Sequence, residues 1–436
     1  MNTNNLNQKI KQPEEGKSNK VNAIRKTLRS LYEFRYNIVT KETECRDLKG
    51  DKFHTVDDRL KADIRLDLQD IAGETGFKGI LDDLLNSSRF AIDFNPFEDY
   101  FENLDTWQPG DRDYIDELCS YIIVKDKSKQ HWFNRMLRKH LIRTVACALR
   151  RIEFNKQCFV LLGGQNAGKS YFIRFLCPPV LEKQGYYKEN PPLDHKDSNL
   201  ALSQNFIINI DELRDLNKAD ANKIKSLFSQ ADAKVRPHYG TKDVVQIRRA
   251  SFFGTTNDKE FLSDPTGNVR WIITEIDTIN HDNGGSLGYK QNVDIDNVWS
   301  QVYALVKAGE KGELTKDEMD QVERHNKDFQ KSTPETDLIQ KYFEPSDPTD
   351  RGALVVTPTD IESALSDIVS GKVRLTNVSI GRALTSLGYK KYSTRLNSNY
   401  PVSKYFIRLK NDDHFKYFDV SHNNFDTTEL KRAVFQ

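Results

Sequence analysis

Apolar residues recur at helix spacing through Ile24, Leu28, Leu31 and Phe34, and again through Ile64, Leu66, Leu68 and Ile71, so residues 21–130 read as an N-terminal helical domain. Residues 1–20 show no such period, are rich in Asn, Lys, Gln and Glu, and read as a disordered tail. From His131 an apolar face of Leu137, Leu141, Val145 and Leu149 predicts a helix that leads into Cys158–Leu162, a short apolar run stopped by Gly163 and Gly164. Such a run suits a central parallel strand buried on both faces. Phe206–Ile210 and Ala250–Phe253 repeat it with helical stretches between, the rhythm of an α/β fold with a parallel sheet core, here over residues 131–332. Farther on, Asp337–Phe343, Pro358–Ile368 and Val378–Leu387 read as three helices, and Lys390–Leu396 and Lys404–Leu409 as two strands around Asn397–Pro401. Three helices and a hairpin predict a winged-helix domain over residues 333–410, with 411–436 as a C-terminal tail.

Composition narrows the class. The chain has 436 residues, 37% apolar and 30% charged, which suits a globular protein of two or three domains. Lys and Arg total 65 against 64 Asp and Glu, so affinity for an acidic polymer has to come from local patches. Two such contrasts occur. Residues 80–118 hold eleven acids against Arg89 and Arg112, which reads as a connector or docking surface. Residues 371–410 hold nine Lys or Arg and no acid. No apolar run approaches the roughly 18 residues that span a bilayer, so no membrane partner and a cytoplasmic location are expected. Cys45, Cys119, Cys147, Cys158 and Cys177 form no C-x-x-C pair and are odd in number, which predicts neither a disulfide framework nor a structural metal.

One motif carries definite chemistry. Gly163, Gly164, Gln165, Asn166, Ala167, Gly168, Lys169 and Ser170 fit G-x-x-x-x-G-K-[ST], after a predicted strand and before a helix that opens at Tyr171. A glycine-rich turn lets successive backbone N–H groups face phosphate oxygens, Lys169 reaches the β and γ phosphates of ATP, and Ser170 ligates Mg²⁺. Binding alone is not hydrolysis. Phe206–Ile210 ends in Asp211 and Glu212, which suits a second ligand for Mg²⁺ and a base for water; Ala250–Phe253 leads to Asn257, a neutral amide able to orient that water.

The chain resembles the virulence-associated protein E family, AAA+ ATPases similar to superfamily 3 helicases and frequent in phage and mobile-element replication modules. The resemblance covers roughly residues 90–280: Asn95–Leu104 with Trp107, the loop continuing to Pro179, the Asp211–Glu212 strand, Gly254–Asn257, and Phe261–Trp271. The end from about Thr336 looks like the extra domain on Bacteroidetes members. Val269 stands where the family usually has the first of two arginines, leaving Arg270 alone. The resemblance implies a ring, expected to be hexameric, with ATP between subunits and Arg270 reaching the neighbour's γ-phosphate; Arg248 and Arg249 are rivals for that role.

Lys234 to Asp243 reads as a basic hairpin with Gly240 near its tip. By resemblance, Lys234, Arg236, His238 and Lys242 grip the backbone of single-stranded DNA in a pore, with Tyr239 as a stacking face; a solvated charged turn is the alternative. Arg382, Lys390, Lys391, Arg395, Lys404 and Arg408 suit duplex phosphates on the winged helix, which otherwise serves as a protein docking unit. Three functions fit: an ATP-driven DNA helicase or replication initiator, a non-motor ATPase switch or platform for defence or transposition, and a remnant that binds DNA without turnover. No primase centre, nuclease triad or Ser/His/Asp arrangement is legible, so a primase or other replisome protein would be a separate partner.

Overall fold

The computed structural model describes residues 15–72, 76–192, 195–213, 218–235, 244–262, 268–282, 285–350, 353–369, 373–394 and 402–410. They fall into two compact units: the first takes the chain to Asp258 and Asn268–Asn326, the second the described residues of Lys259–Gly267 and those from Lys327 on.

The first unit opens on a helix, Glu15–Leu31, that starts inside the expected tail. The stretch expected to be helical is then mixed. β1 (Tyr32–Asn37), β2 (Glu42–Asp47), β3 (His54–Thr55) and β4 (Ile92–Phe94) form a sheet in the order β3-β2-β1-β4, against helices Asp58–Ala72 and Lys78–Leu85. Phe34 and Cys45 face each other across β1 and β2 and are buried, while most of their strand neighbours are polar. Tyr32 and Tyr36, two positions either side of Phe34, pack partly buried against the same core, so Phe34 belongs to period 2 rather than to the helix that ends at Leu31. Ile64 and Leu68 are buried in the same core, whereas Leu66 and Ile71 are exposed.

The central sheet joins β5 (Ile122–Val124), β6 (Cys158–Leu162), β7 (Tyr187–Glu189), β8 (Ile207–Ile210), β11 (Ser251–Thr256) and β12 (Trp271–Ile279) in the order β5-β12-β6-β11-β8-β7. All neighbours are parallel except β5, which runs against β12. β6 is buried at every residue, as its uninterrupted apolar run demands. Leu162 pairs with Thr256 and Ile210 with Gly254, so β6, β11 and β8 end along one edge of the sheet. Ligand sites in parallel sheets form beyond that edge. β9 (Asp232–Val235) and β10 (Val244–Ile247) pair antiparallel as the base of a hairpin, with Val235 opposite Val244.

Charge runs in the sequence serve this core. Helix Gln130–Ala148 packs Phe133, Leu137, Leu141 and Val145 into it. Its cations are tied down: Arg138 to Asp113 at 2.9 Å, Lys139 to Glu318 at 2.7 Å, and buried Arg143 to Asn155 at 3.1 Å and to the Gly312 carbonyl. The acidic stretch is likewise no loose connector. Asn95 caps the helix Pro96–Glu102, whose Phe97 and Phe101 pack on Phe206, and the Tyr100 hydroxyl donates to Asp296 at 2.6 Å.

The second unit holds helices Pro334–Tyr342, Pro358–Val369 and Asn377–Ser386 with β13 (Phe343–Pro345), β14 (Leu354–Val356), β15 (Lys391–Thr394) and β16 (Val402–Leu409). β16 pairs antiparallel with each of the other three. Thr333 and Thr376 close capping boxes with Thr336 and Ser379, which fixes where two of the helices start. Ile339, Ile361, Leu365, Ile380, Leu384, Tyr405 and Ile407 make the core. The three expected helices appear within a few residues of their predicted bounds; β13 and β14 were not foreseen.

Candidate functional site

β6 hands the chain to a turn, Gly163–Gly168, and then to helix Lys169–Phe175. Two glycines in the turn are sterically required. A Cβ on Gly163 would lie 2.8 Å from Ile276 Cγ1, and one on Gly168, where φ is +75°, would lie 1.7 Å from His281 Nε2. Asn166 also takes a left-handed conformation, φ 62°, which asparagine tolerates better than most residues.

The turn curls around its own lysine. Lys169 Nζ donates to the carbonyls of Gly163 at 2.9 Å and Gly164 at 2.7 Å, and to Asn257 Oδ1 at 2.6 Å. Burial pulls its pKa down, and the charge of Asp211 opposes that shift. Beside it, Ser170 Oγ donates to Asp211 Oδ1 at 2.7 Å, and the Thr255 hydroxyl donates to the same oxygen. The Asp211 N–H donates to Asn190 Oδ1 at 2.8 Å, which anchors the end of β8. Glu212 is exposed with φ 56°, its N–H directed at Thr255 Oγ1 at 3.4 Å.

Gln165, Asn166, Ala167, Gly168, Lys169, Ser170, Tyr171, Asp211, Glu212 and Asn257 all line one cavity of about 710 Å³. The sequence reading placed these residues together, and the parallel register of β6, β11 and β8 does so physically. Thr255, Asn190, His281, Lys290 and Gln291 were missed. Thr255 was within reach of the sequence, two residues before Asn257; the others come from segments whose position depends on tertiary packing. His281 Nε2 lies 3.1 Å from the Ala167 carbonyl, and burial holds the imidazole pKa below its ordinary value.

Arg270 lies elsewhere. It ends the turn Asn268–Arg270 just before β12, where Trp271 pairs with Cys158, the first residue of β6. That is the edge opposite the loop, about 17 Å away at strand rise, so Arg270 does not reach the cavity of its own chain. Its Nε donates to Ser229 Oγ at 3.3 Å. The rival arginines are both buried. Arg248 is fully buried, donating to the carbonyls of Asn155, Leu227, Phe228, Gln230 and Ala250, and Arg249 is buried with a bond to Ala148 O at 2.7 Å.

Of the expected DNA contacts, Lys234 lies in β9 opposite Val245, while Arg236, His238, Tyr239, Lys242 and Arg395 lie outside the described residues. Arg382, Lys390 and Lys391 are exposed. The acid-free reading of this segment does not survive in space. Asp347 pairs with Lys390 at 2.5 Å, and Glu344 and Asp350 approach Arg408 at 3.5 and 3.6 Å, because β13 and the turn after it bring acids from the preceding segment. Among the described residues no helix is long and apolar enough to cross a membrane.

Comparison with solved structures finds the apo structure of the NrS-1 C-terminal region, 11% identical with a TM-score of 0.45, covering 88% of this chain and 98% of that one. A second form of the same region is 10% identical with the same TM-score, 0.45, and covers 86% and 96% of the two chains. No curated protein matches. A family model described as the virulence-associated protein E-like domain matches residues 102–331, more than half the chain and the whole of the loop and carboxylate site. The chain belongs to the virulence-associated protein E-like family.

Proposed function

We propose that this chain is a phosphate-loop ATPase of the AAA+ kind that works on DNA in the replication of a phage or mobile element. The observation that carries this is the 2.7 Å contact between Ser170 of the loop and Asp211 at the end of the neighbouring strand. A hydroxyl and a carboxylate oxygen at that separation are hard donors of the kind Mg²⁺ accepts, with water and phosphate oxygens completing its shell. When bound, Mg²⁺ would neutralise charge on the β and γ phosphates. The chain's own groups supply the rest. Lys169 exchanges two loop carbonyls for phosphate oxygens, Asn257 and Glu212 stand at the strand ends where the γ-phosphate comes to lie, and Glu212, exposed to solvent, takes a proton from the attacking water.

Arg270, at the far edge of the sheet, serves a neighbouring subunit's site, and a homo-oligomeric ring, hexameric by family resemblance, follows from that assignment. In this reading Lys234 of β9, and Arg236, His238, Tyr239 and Lys242 in the sequence between β9 and β10, contact single-stranded DNA in the pore. Three helices and the β15–β16 hairpin support a winged helix, with duplex DNA at Arg382, Lys390, Lys391 and Arg395. A separate primase or replisome protein would supply the primer.

A second reading, a non-motor switch whose C-terminal unit docks a protein, gains support from the acids that neutralise Lys390 and Arg408. Single-stranded DNA separates the two. A motor shows ATP turnover stimulated several-fold by single strands and displaces a paired strand; a switch with unstimulated turnover and no displacement contradicts the motor.

A further inference from the structure

A second cavity lies away from the loop, within the first unit. It encloses about 530 Å³ between the β1–β4 sheet and the turn after helix Lys78–Leu85, and its walls include Tyr36, Thr40, Lys41, Thr55, Ser88 and Asp93. Volumes in this range enclose whole small molecules.

The wall that carries Lys41 is fixed by the turn between β1 and β2. Buried Asn37 accepts the N–H groups of Val39 at 3.0 Å and Thr40 at 3.1 Å on its Oδ1, and its Nδ2 donates to Tyr186 Oη at 2.8 Å. Val39 is buried in the central-sheet core, and the Thr40 carbonyl accepts from Gln204 Nε2 at 3.3 Å. The turn is thus held by both the small sheet and the central one. Lys41 closes it with an N–H bond to Asn37 O at 2.8 Å and a left-handed backbone, φ 64°. A lysine persists in that conformation only where its surroundings over-determine it, and such positions concentrate at ligand sites.

The walls present polar groups that the fold does not use. Thr40 Oγ1 is buried with no hydrogen-bond partner among the described residues, and among those residues neither Lys41 nor Asp93 forms an ion pair. Lys61 and Glu42 on the same walls balance each other in charge. Lys41 itself stands in a cation-rich corner: burial first, then the charges of Arg249 and Arg150, hold its pKa below the ordinary lysine value, while Asp93 opposes them. Arg249 is bonded there to a neutral carbonyl, Ala148 O, at 2.7 Å. Three positive charges against one free carboxylate favour a dianion such as phosphate over a single carboxylate.

The neighbouring wall suits hydroxyls. Tyr36 lies opposite Asp93 in the β1–β4 register, and burial with the charges of Asp93 and Glu42 pushes its pKa up, so its hydroxyl remains a donor. A carboxylate beside hydroxyl groups accepts from and donates to the hydroxyls of a polyol. The same carboxylates repel the closely spaced phosphates of a nucleic-acid strand.

We infer that this cavity is a ligand site for a sugar phosphate, with the phosphate at Lys41 and the sugar hydroxyls at Asp93, Tyr36 and Thr40. The inference is independent of the triphosphate reading of residues 163–170.

Calorimetric titration of the full chain with ribose 5-phosphate, ribose and inorganic phosphate tests it. The unaltered chain binds ribose 5-phosphate about tenfold or more tightly than either of the others, since only it engages both walls. Lys41→Met weakens ribose 5-phosphate by about tenfold, the scale of losing one charge-assisted hydrogen bond. Asp93→Asn weakens it several-fold and leaves inorganic phosphate unchanged, and Lys169→Ala, in the loop, leaves ribose 5-phosphate binding intact. No binding of ribose 5-phosphate by the unaltered chain, or an affinity equal to that of inorganic phosphate, overturns the site. Binding lost in Lys169→Ala and kept in Lys41→Met overturns it too, by placing the ligand at the loop. If Lys41→Met does not fold, Asp93→Asn decides: an affinity indifferent to that change contradicts the inference.

Discussion

Ser170 and Asp211 lie 41 positions apart in the chain and meet at 2.7 Å, with the Thr255 hydroxyl on the same carboxylate oxygen. Ser170→Ala removes a hydroxyl while leaving Asp211 bonded to Thr255, so the fold is retained. Expected are a fall in ATP turnover of about 100-fold, the scale of losing one polar catalytic group, and a higher magnesium concentration for half-maximal activity. Asp211→Asn, which keeps the shape and loses the charge, gives the same pattern. A magnesium titration of steady-state turnover checks both; an unchanged midpoint argues against a metal position between the two residues.

Gly168 and His281 form a second relationship with a measurable consequence. Gly168→Ala meets two penalties, a left-handed backbone and a Cβ placed on the imidazole, whereas a Cβ on Gly164 meets nothing within 4 Å. Gly168→Ala therefore costs about 1–3 kcal/mol of stability and Gly164→Ala less than about 1 kcal/mol. Adding His281→Ala to Gly168→Ala restores part of the loss, since it removes the clash and leaves the backbone strain. Denaturant melts of these three variants and the unaltered chain give the comparison.

Much of this site was legible in sequence because its signals are local. An apolar strand, a glycine-rich turn, a lysine and a serine occupy thirteen consecutive residues, and the acids and amide that complete the site end two further apolar strands. The parallel register then leaves little freedom in where those ends go. Two other features were illegible for physical reasons. β1 and β2 each hide one inward apolar residue, Phe34 and Cys45, among charged neighbours, so the apolar residue before Phe34 at helix spacing, Leu31, was the stronger signal. The cations of 131–156 and of 371–410 meet their acids only after folding, at Glu318, Asp113, Asp347 and Glu344. Arg248 looked like a candidate for reaching a neighbour; its five carbonyl partners make it an internal brace for the hairpin base instead.

His140 sets a pH dependence. Fully buried, with Nε2 3.1 Å from Phe252 O and its ring against Phe253, it has a pKa well below the ordinary value, because burial penalises the cation and Arg143 adds repulsion. The unfolded chain then binds a proton that the folded chain refuses. Stability is fully present above about pH 6.5 and declines as pH falls below it, with a slope approaching 1.4 kcal/mol per pH unit for this one group. His140→Gln, which still donates to Phe252 O, shows a shallower loss between pH 6.5 and 5 in denaturant melts. Identical slopes contradict the assignment.

Arg270 predicts complementation. If it completes a neighbour's site, Arg270→Ala and Lys169→Ala chains are each nearly inactive alone. Mixed in equal amounts they regain activity, because some interfaces pair an intact loop with an intact arginine. Turnover of the mixture no higher than that of either variant rules out service across a subunit boundary.

The most direct test of the account is ATP hydrolysis by the full chain with magnesium, compared with Lys169→Ala. Among the described residues the lysine holds no carboxylate in place and donates to Gly163, Gly164 and Asn257, so its removal leaves the sheet standing. Turnover in the unaltered chain and a loss of about 100-fold or more in Lys169→Ala, with circular dichroism unchanged, are the predicted results. Equal turnover in the two proteins would contradict a triphosphate site at residues 163–170.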